Sequence, residues 1–399
     1  MGNVQNRLEV NSNADLRIAW LLTSAFYYWH PTLSELAKLF PKMTAFAANW
    51  RGYASGFEDS FTVEVVGQRK VIPLAKASTG YGSSFTYLPL NIVNRLLQFK
   101  PHVIFSNSFG MWTLLALLSK PLGKWEVVIA YEGSSPSVDY RNSAVRLAVR
   151  RAMVRAADAC ISNSHAGKAY LTKVLKAEES RVFVQPYEVP AANSLSGNLE
   201  EEQPSLPQLQ QPVFIVVGGI IPRKGLDQLL EACAILQRQG CDDYTLLVVG
   251  DGPQREELEN FTQKNDLTKC VQWAGRVDYN HLGAYFRKAD VFVLPTLEDT
   301  WGLVLLEAMV LGKPILGSKW AGAAELVIDG ENGYCFDPYE PAKLAELMRR
   351  FINDPDLAAS MGHKSEQLMT QYTPEASGDE VLEARQTIAA LREEMAWKG

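Results

Sequence analysis

Short apolar runs alternate along the chain with longer segments whose apolar residues recur at helical spacing. In the first half, the runs LRIAWLL, HVIFS, WEVVIAY and DACISN are each followed by a segment of helical period. The same rhythm starts again after residue 211 with VFIVVGG, YTLLVVG, VFVLP and PILG. Such alternation is typical of parallel sheets whose strands are joined by crossover helices. The pattern predicts an α/β protein with two doubly wound, Rossmann-like units.

A segment between the two units is rich in Pro, Ser, Gln and Glu and has no period: PAANSLSGNLEEEQPSLPQLQQP. This composition is typical of a linker. We therefore expect an amino-terminal domain over residues 1–190, a linker over 191–211 and a carboxyl-terminal domain over 212–378. The last stretch, 379–399, has a helical pattern and predicts a helix that can cross back onto the first domain.

Composition narrows the class of protein. The 399 residues, 47% hydrophobic and 21% charged, exceed what one core takes at roughly 100–200 residues per domain and exclude a disordered chain. No apolar run reaches the ~18 residues that span a bilayer, and the polar start is unlike a signal peptide, so we expect a cytoplasmic protein. The five cysteines contain no C-x-x-C pair and predict neither a disulfide framework nor a zinc site.

Charge is distributed unevenly between the two units. Residues 1–190 carry 21 Lys and Arg against 13 Asp and Glu, a net charge of +8, and the remainder carries −14. A positive domain attracts phosphates or anionic lipid. The alternative is a solvated surface with a chance imbalance. We expect no nucleic-acid partner and, from the positive domain, peripheral contact with an anionic membrane at its inner face.

The first candidate site follows the strand VFIVV. This strand ends at Gly218 and Gly219, a short loop carries Arg223 and Lys224, and a helix begins at Gly225. Ligands of doubly wound sheets bind beyond the carboxyl ends of strands, where helix N-termini offer free N–H groups. Two adjacent cations at such a place can neutralise a diphosphate. The alternative is a solvated Arg-Lys turn.

The second candidate site contains a carboxylate inside an apolar segment. Glu307 lies within LVLLEAMVL, and a buried carboxylate needs hydrogen-bond donors. Sugar hydroxyls are suitable donors, and an Arg on a neighbouring helix is the structural alternative. Glu298 and Asp299 end the preceding strand. We expect the residues that lead into the following helix to face the same crevice: Thr300, Trp301, Gly302, Leu303 and Val304.

Two further strand ends carry turn residues. The sequence VVGDGP turns at Gly250 and Gly252, and WAGRV places Arg276 and Val277 after another strand. Both turns are predicted to wall a nucleotide base. Taken singly, each is more typical of a plain turn.

Together these motifs resemble the nucleotide-sugar domain of retaining GT-B glycosyltransferases, in the GT4-like family called glycosyl transferases group 1. Three features occur in the family's order: the loop GGIIPRKG, the turn GDGP, and the acidic residue Asp299, which seven residues separate from Glu307. The resemblance implies two Rossmann-like domains facing a central cleft. It implies that Arg223 and Lys224 hold the donor diphosphate and that Glu307 binds the ribose hydroxyls. Either Asp299 or Glu298 then meets the donor sugar.

The amino-terminal half departs from this family at two places. Relatives usually have a Gly-rich loop after the first strand, where this chain reads TSAFYYWHP, and often a His where Glu132 stands. Glu132 either contacts the donor sugar or caps the next turn. His30 is a candidate for the missing phosphate contact, against the alternative of a packed residue. On the acceptor side we expect four residues that look exposed in the sequence: Trp29, His30, Phe109 and Trp112.

The resemblance implies transfer of a hexose from a UDP- or GDP-type nucleotide sugar to a lipid or glycan, with retention and a front-face mechanism. The catalytic residues would be Arg223, Lys224, Asp299 and Glu132. Neither a metal nor a cofactor is expected, since neither candidate site contains a D-x-D triplet; Asp354-Pro355-Asp356 lies outside both. The alternatives are a non-catalytic subunit that binds nucleotide sugars and a sugar-nucleotide epimerase of the same fold.

Overall fold

The computed structural model describes residues 13–23, 27–54, 56–75, 83–184 and 209–374, with the single positions Pro186, Pro190, Leu195 and Ala376. Most of the predicted linker lies outside the described residues. The predicted helix over 379–399 lies entirely outside them.

The first sheet has seven parallel strands, and a separate antiparallel hairpin lies beside it. The strands are β1 Arg17–Leu22, β2 Lys42–Ala47, β3 Thr62–Val65, the hairpin β4 Lys70–Ala75 and β5 Ser83–Tyr87, then β6 Val103–Asn107, β7 Glu126–Tyr131, β8 Ala159–Ser162 and β9 Val182–Val184. Their order in the sheet is β3-β2-β1-β6-β7-β8-β9. The sheet therefore reverses its direction of growth between β1 and β6.

Helices cover both faces of this sheet. They are α1 His30–Leu39, α2 Ile92–Phe99, α3 Met111–Gly123, α4 Pro136–Asp139, α5 Ala144–Ala156 and α6 His165–Ala169, which continues as a π-helical turn over Tyr170–Val174. Alternate strand residues enter two separate cores. Trp20 packs with Leu33 of α1 on one face, whereas Leu21 packs with Leu96 of α2 on the other. Burial on both faces explains why the strands are continuous apolar runs.

The second sheet has six parallel strands. They are β10 Val213–Val217, β11 Thr245–Val249, β12 Val271–Gly275, β13 Val291–Leu294, β14 Ile315–Ser318 and β15 Gly333–Phe336. The helices are α7 Leu226–Arg238, α8 Arg255–Lys264, α9 Leu282–Lys288, α10 Leu303–Val310, α11 Pro341–Asn353 and α12 Pro355–Met369. The order β12-β11-β10-β13-β14-β15 reverses between β10 and β13.

The carboxyl ends of the two sheets face each other across a cleft. Residues that follow strands of the first sheet contact residues that follow strands of the second. The pairs are Tyr27 with Tyr279, Ser137 with Glu298, and His165 with Glu325. The predicted pair of doubly wound units facing a cleft is thereby confirmed, and both reversal points open into it, where such sheets bind ligands.

Candidate functional site

The loop after β10 packs directly on the loop after β13. The carbonyl oxygen of Arg223 accepts hydrogen bonds from the Leu297 N–H at 2.8 Å and the Thr296 hydroxyl at 3.0 Å. Gly225 adopts a φ of +65°, and a Cβ there would lie 2.1 Å from the carbonyl oxygen of Pro295. Only glycine fits this position. The close packing and these hydrogen bonds hold the turn of Arg223 and Lys224 at the reversal point of the second sheet.

The two predicted phosphate-binding cations converge on one carboxylate. The Lys224 Nζ lies 2.6 Å from Oδ2 of Asp299, and the Arg223 Nη1 lies 3.6 Å from the same oxygen. Nη1 of Arg223 also donates to the carbonyl oxygen of Glu298 at 2.7 Å. The side chain of Asp299 is only 9% exposed. The structure thus brings Arg223, Lys224 and Asp299 together in a partly desolvated cluster, where charge interactions are stronger than in water.

Glu298 points away from these cations. Its carboxylate accepts hydrogen bonds from the N–H and the hydroxyl of Ser137, at 2.8 Å each, across the cleft. Adjacent acidic residues at this strand end therefore face different partners. Asp299 faces the cations of its own domain, while Glu298 holds the start of α4 in the other domain.

Glu132 follows β7 and lies on the opposite side of the cleft from the cation cluster. Its Oε1 accepts a long hydrogen bond from the Asn107 side chain at 3.4 Å. Burial, and then the negative charge of Asp299, raise the pKa of the Glu132 carboxyl. Asp299 of one domain is thus close enough to Glu132 of the other to affect its ionisation.

Glu307 is buried, as predicted, and its partner is a phenol rather than an Arg. Burial raises the pKa of Glu307 to about 7, and a hydrogen bond from the Tyr279 side chain partly opposes this rise. The ring of Tyr279 in turn packs against Tyr27 of the first domain, with centroids 4.2 Å apart. Burial and the nearby Glu307 raise the pKa of Tyr27 to about 12. The carboxylate thus lies beneath an aromatic pair that bridges the cleft.

Several predicted donor-wall glycines are required for packing between adjacent strand ends. A Cβ on Gly250 would lie 1.9 Å from the Gly218 carbonyl oxygen, and one on Gly252 would lie 2.3 Å from that of Ile220. The Gly219 Cβ position is 4.0 Å from the nearest such atom. The close approach of two loops accounts for Gly250 and Gly252 without a ligand, and their contact with a donor remains a prediction.

The rest of the predicted donor wall is placed as follows. Arg276 is exposed after β12, and Val277 packs on the core. The Trp301 side chain is 2% exposed within that core, so only its backbone can face a donor. Gly302 has a φ of +93° and precedes α10, whose first residues are Leu303 and Val304.

The predicted acceptor-side aromatic residues require a correction. His30 and Trp29 are each 1% exposed, and Trp112 is 2% exposed. His30 is surrounded by aromatic rings, and its Nδ1 accepts the Ala54 N–H at 3.0 Å. The Trp112 Nε1 donates to a backbone carbonyl at 2.8 Å. The expectation that these three side chains face an acceptor is wrong, because all three are core residues.

Phe109 is partly buried rather than free on the surface. Its ring packs against Tyr131 with centroids 5.6 Å apart, and the Arg150 guanidinium lies 4.9 Å from its centre. These contacts occupy the ring within its own domain.

Sequence reasoning missed the contacts that join the two domains. A Cβ on Gly133 would lie 2.1 Å from the Thr300 carbonyl oxygen across the cleft. The Glu325 carboxylate accepts the His165 N–H at 3.0 Å. Each of these residues follows a strand end, which is the one signal in the sequence that could have pointed to them.

Part of the chain matches a known protein family. Residues 198–368 match the family model described as glycosyl transferases group 1. The match covers less than half of the chain and lies in its carboxyl-terminal half. The predicted resemblance is confirmed at this level, and the matched segment contains Arg223, Lys224, Asp299 and Glu307.

Curated glycosyltransferases match this chain over part of their length. Alpha-D-kanosaminyltransferase of Streptomyces kanamyceticus is 28% identical over 172 residues, 43% of this chain and 44% of that protein. D-inositol 3-phosphate glycosyltransferase of Streptomyces avermitilis is 29% identical over 250 residues, 58% of this chain and 51% of that protein. The chain spans about half the length of the curated relatives it matches.

Solved structures match the fold over nearly the whole chain. The Anabaena protein HepE in complex with UDP is 18% identical, with a TM-score of 0.73 over 93% of this chain and 100% of that one. Sucrose-phosphate synthase from Thermosynechococcus elongatus is 21% identical, with a TM-score of 0.69 over 94% of this chain and 100% of that one. These likenesses confirm the predicted GT-B fold.

The described residues contain neither a cluster suited to a metal ion nor a helix suited to crossing a membrane. No group of three or more His, Cys, Asp or Glu side chains that could hold a metal ion occurs among them. Within the same part of the chain, every helix is too short or too polar to cross a bilayer.

Proposed function

We propose that this protein is a retaining glycosyltransferase that moves a hexose from a nucleoside-diphosphate sugar to a hydroxyl of a lipid or glycan. One observation carries the proposal: Arg223, Lys224 and Asp299 form a cluster at the reversal point of the second sheet. Glu132 of the other domain faces that cluster closely enough for the charge of Asp299 to raise its pKa. A diphosphate bound at the cations would therefore place its sugar between the two domains.

The named relatives support the same class of reaction. Two curated relatives carry transferase names, and the HepE structure contains UDP. A UDP- or GDP-type donor is therefore our proposal for this chain. No cofactor and no metal form part of the proposed mechanism.

In the proposed step, the bond between the anomeric carbon and the β-phosphate oxygen breaks and a bond from the acceptor oxygen to that carbon forms. Both changes take place on the same face of the sugar, which retains the anomeric configuration. The acceptor's proton passes to the departing phosphate oxygen, so the products are a glycoside and a nucleoside diphosphate. Arg223 and Lys224 stabilise the charge that grows on the leaving group. Closure of the cleft excludes water, which would otherwise hydrolyse the donor.

The carboxylates take separate roles in this proposal. Glu307 binds the ribose hydroxyls, which replace the Tyr279 phenol as hydrogen-bond donors. Asp299 contacts the donor sugar, because it lies at the cations, whereas Glu298 is engaged by Ser137. Glu132 contacts the sugar from the opposite domain.

Variants of the cation pair test the proposal. The full chain is titrated with UDP- and GDP-sugars by calorimetry, and transfer is followed by release of the nucleoside diphosphate. Arg223→Ala and Lys224→Ala should each lower transfer about 10²–10³-fold, the effect of removing one group that stabilises transition-state charge. Lys319→Ala is the matched control, because Lys319 pairs with Asp337 on the surface. If Arg223→Ala and Lys224→Ala transferred the sugar as fast as the control Lys319→Ala, this phosphate site would be excluded. Activity should persist in excess EDTA.

A non-catalytic nucleotide-sugar-binding subunit is the second candidate. The observation that favours it is Glu132, a carboxylate at a place where the resembled family often has a His. It predicts calorimetric binding of a nucleotide sugar without release of nucleoside diphosphate under any acceptor tested.

We also propose that the first domain touches anionic membrane through α3 and α5. These helices pack side by side and expose apolar side chains: Leu118 is 69% exposed, Leu122 74% and Val145 75%. Exposed Lys124 and Arg146 lie next to them. Apolar insertion combined with basic charge is typical of peripheral binding. Phosphatidylglycerol vesicles should bind the wild-type chain in a salt-sensitive way and bind Leu118→Ser/Leu122→Ser more weakly. Equal binding to pure phosphatidylcholine vesicles would contradict this.

A further inference from the structure

A cavity of about 320 Å³ lies in the first domain. Six of its lining residues carry polar side chains: Thr23, Arg69, Thr86, Asn107, Ser108 and Glu132. Its volume falls in the range of about 300–1,000 Å³ that small-molecule sites occupy.

The cavity lies where the first sheet reverses its order. Thr23 directly follows β1, Asn107 ends β6, and Glu132 directly follows β7. β1 and β6 are the neighbouring strands between which the direction of growth changes. Doubly wound sheets bind ligands in this crevice. The cation cluster of Arg223, Lys224 and Asp299 occupies the equivalent crevice of the second sheet. Each domain therefore contributes one crevice to the same cleft.

Glu132 belongs to this cavity and also lies near the cation cluster of the second domain. It lines the cavity and also lies within reach of the charge of Asp299. A ligand in the cavity would therefore present its near end to the place where the proposed donor holds its sugar. The cavity is thus on the acceptor side of the proposed reaction.

The lining indicates the chemistry of that ligand. Hydroxyl groups and one amide suit a molecule with several hydroxyls. Among the described residues that line the cavity, Arg69 is the only cation and Glu132 the only carboxylate. Arg69 is partly buried, and its backbone N–H is fixed by the Ala48 carbonyl oxygen at 2.9 Å. A guanidinium binds phosphate and carboxylate through two parallel hydrogen bonds.

We propose that this cavity binds the acceptor, and that the acceptor is a polyol bearing an oxyanion, with the oxyanion at Arg69 and a free hydroxyl at Glu132. The inference rests on the proposed glycosyl transfer and narrows its acceptor from any lipid or glycan to an anionic one. Phosphate and carboxylate share the chemistry that Arg69 recognises.

Calorimetry on the full chain distinguishes a phosphate-bearing acceptor from a carboxylate-bearing one. Glucose 6-phosphate, glucuronate and neutral glucose are titrated into the protein with and without saturating UDP. At least one anionic sugar should bind ten times more tightly than glucose, and Arg69→Gln should remove that difference. Arg69→Lys should restore it in part, because charge returns without the planar fork. Arg95→Gln is the control, since Arg95 pairs with Glu64 elsewhere on the same domain.

If neither anionic sugar binds better than glucose, or if Arg69→Gln binds it as well as Arg95→Gln does, the proposal is overturned. If Arg69→Gln fails to fold, Met111→Trp provides the second test, because Met111 lines the cavity and a larger side chain would fill it. That variant should lose the anionic sugar and keep its UDP affinity. Failure of UDP itself to bind would count against the donor site alone, because the sugars are also titrated without UDP.

Discussion

Glu298 and Ser137 join the two domains across the cleft, with both carboxylate oxygens of Glu298 accepting from Ser137 at 2.8 Å. The same strand end carries Asp299, which pairs with Lys224. The carbonyl oxygen of Glu298 accepts from Arg223 at 2.7 Å. Closure of the cleft and the geometry of the cation cluster therefore depend on one short segment after β13.

Glu298→Ala should open the cleft without weakening nucleotide binding. Hydrogen bonds to a charged group contribute about 1.5–3 kcal/mol each, and the variant removes the acceptor of both Ser137 donors, so the closed form should become at least roughly tenfold less populated. Transfer should fall accordingly. Small-angle scattering should show a larger radius of gyration, while calorimetry should show an unchanged affinity for the nucleotide.

Ser137→Ala is the graded control for this prediction. It removes the hydroxyl but keeps the backbone N–H that donates to Glu298 at 2.8 Å. Its effect on transfer should lie between wild type and Glu298→Ala. A variant of Glu298 that stays compact and fully active would show that the contact does not control closure.

Gly133 should act as a steric requirement for closure. A Cβ at this position would lie 2.1 Å from the Thr300 carbonyl oxygen of the other domain. That distance is far below ordinary contact, and the obstructing atom is backbone. Gly133→Val should therefore hold the domains apart, lower transfer strongly and leave nucleotide affinity and the thermal unfolding midpoint near those of wild type. A compact, active Gly133→Val variant would contradict the role, and Gly133→Ala should be intermediate.

Asp139 should be the main stabilising acid near the cleft. Its side chain is 1% exposed, and it accepts the Tyr131 hydroxyl at 2.7 Å, the Ser134 hydroxyl at 2.7 Å and the Arg141 Nε at 2.9 Å. Asp139→Ala leaves these donors without their acceptor and should lower the free energy of unfolding by about 2–4 kcal/mol. Urea unfolding measures this loss.

Asp15→Ala is the matched control for Asp139. Asp15 is 65% exposed and pairs with Lys42 at 2.7 Å. An exposed ion pair of this kind contributes at most about 1 kcal/mol. If both variants lose the same stability, the buried network at Asp139 contributes nothing specific.

The fold, and the place of the Arg223-Lys224 pair after β10, could be predicted because both depend on local patterns, whereas the meeting of this pair with Asp299, 75 positions along the chain, could not. Apolar runs such as VFIVV are continuous since both faces of a parallel strand are covered. Arg223 and Lys224 could be placed because a strand, a turn and a helix start occur within a few residues of each other.

The sequence could not predict contacts between the domains. Ser137 and Glu298 lie 161 positions apart, and no local pattern reports their meeting. It also misassigned Trp29, His30 and Trp112, because an aromatic residue next to polar ones has the same sequence signature on a surface and over a core. Their burial is decided by which helix face meets the sheet.

Nucleotide-sugar binding should depend on pH through Glu307. Burial raises the pKa of this carboxyl to about 7, so much of it is protonated in the free protein below that pH. Ribose hydroxyls donate to the charged form and favour it, so binding lowers the pKa and releases a proton. The affinity should therefore rise with pH up to about 7, by at most about tenfold per unit, and level off above it.

Calorimetry with a nucleotide sugar, from about pH 5 to about pH 8, tests this linkage. A nucleotide sugar is chosen because its diphosphate does not titrate in that range, unlike the terminal phosphate of a free nucleoside diphosphate. Glu307→Gln should bind more weakly and without pH dependence. Tyr279→Phe removes the hydrogen bond that lowers the pKa of Glu307, so the midpoint should move to higher pH. A wild-type affinity that stays flat below pH 7 would mean that Glu307 does not receive the ribose.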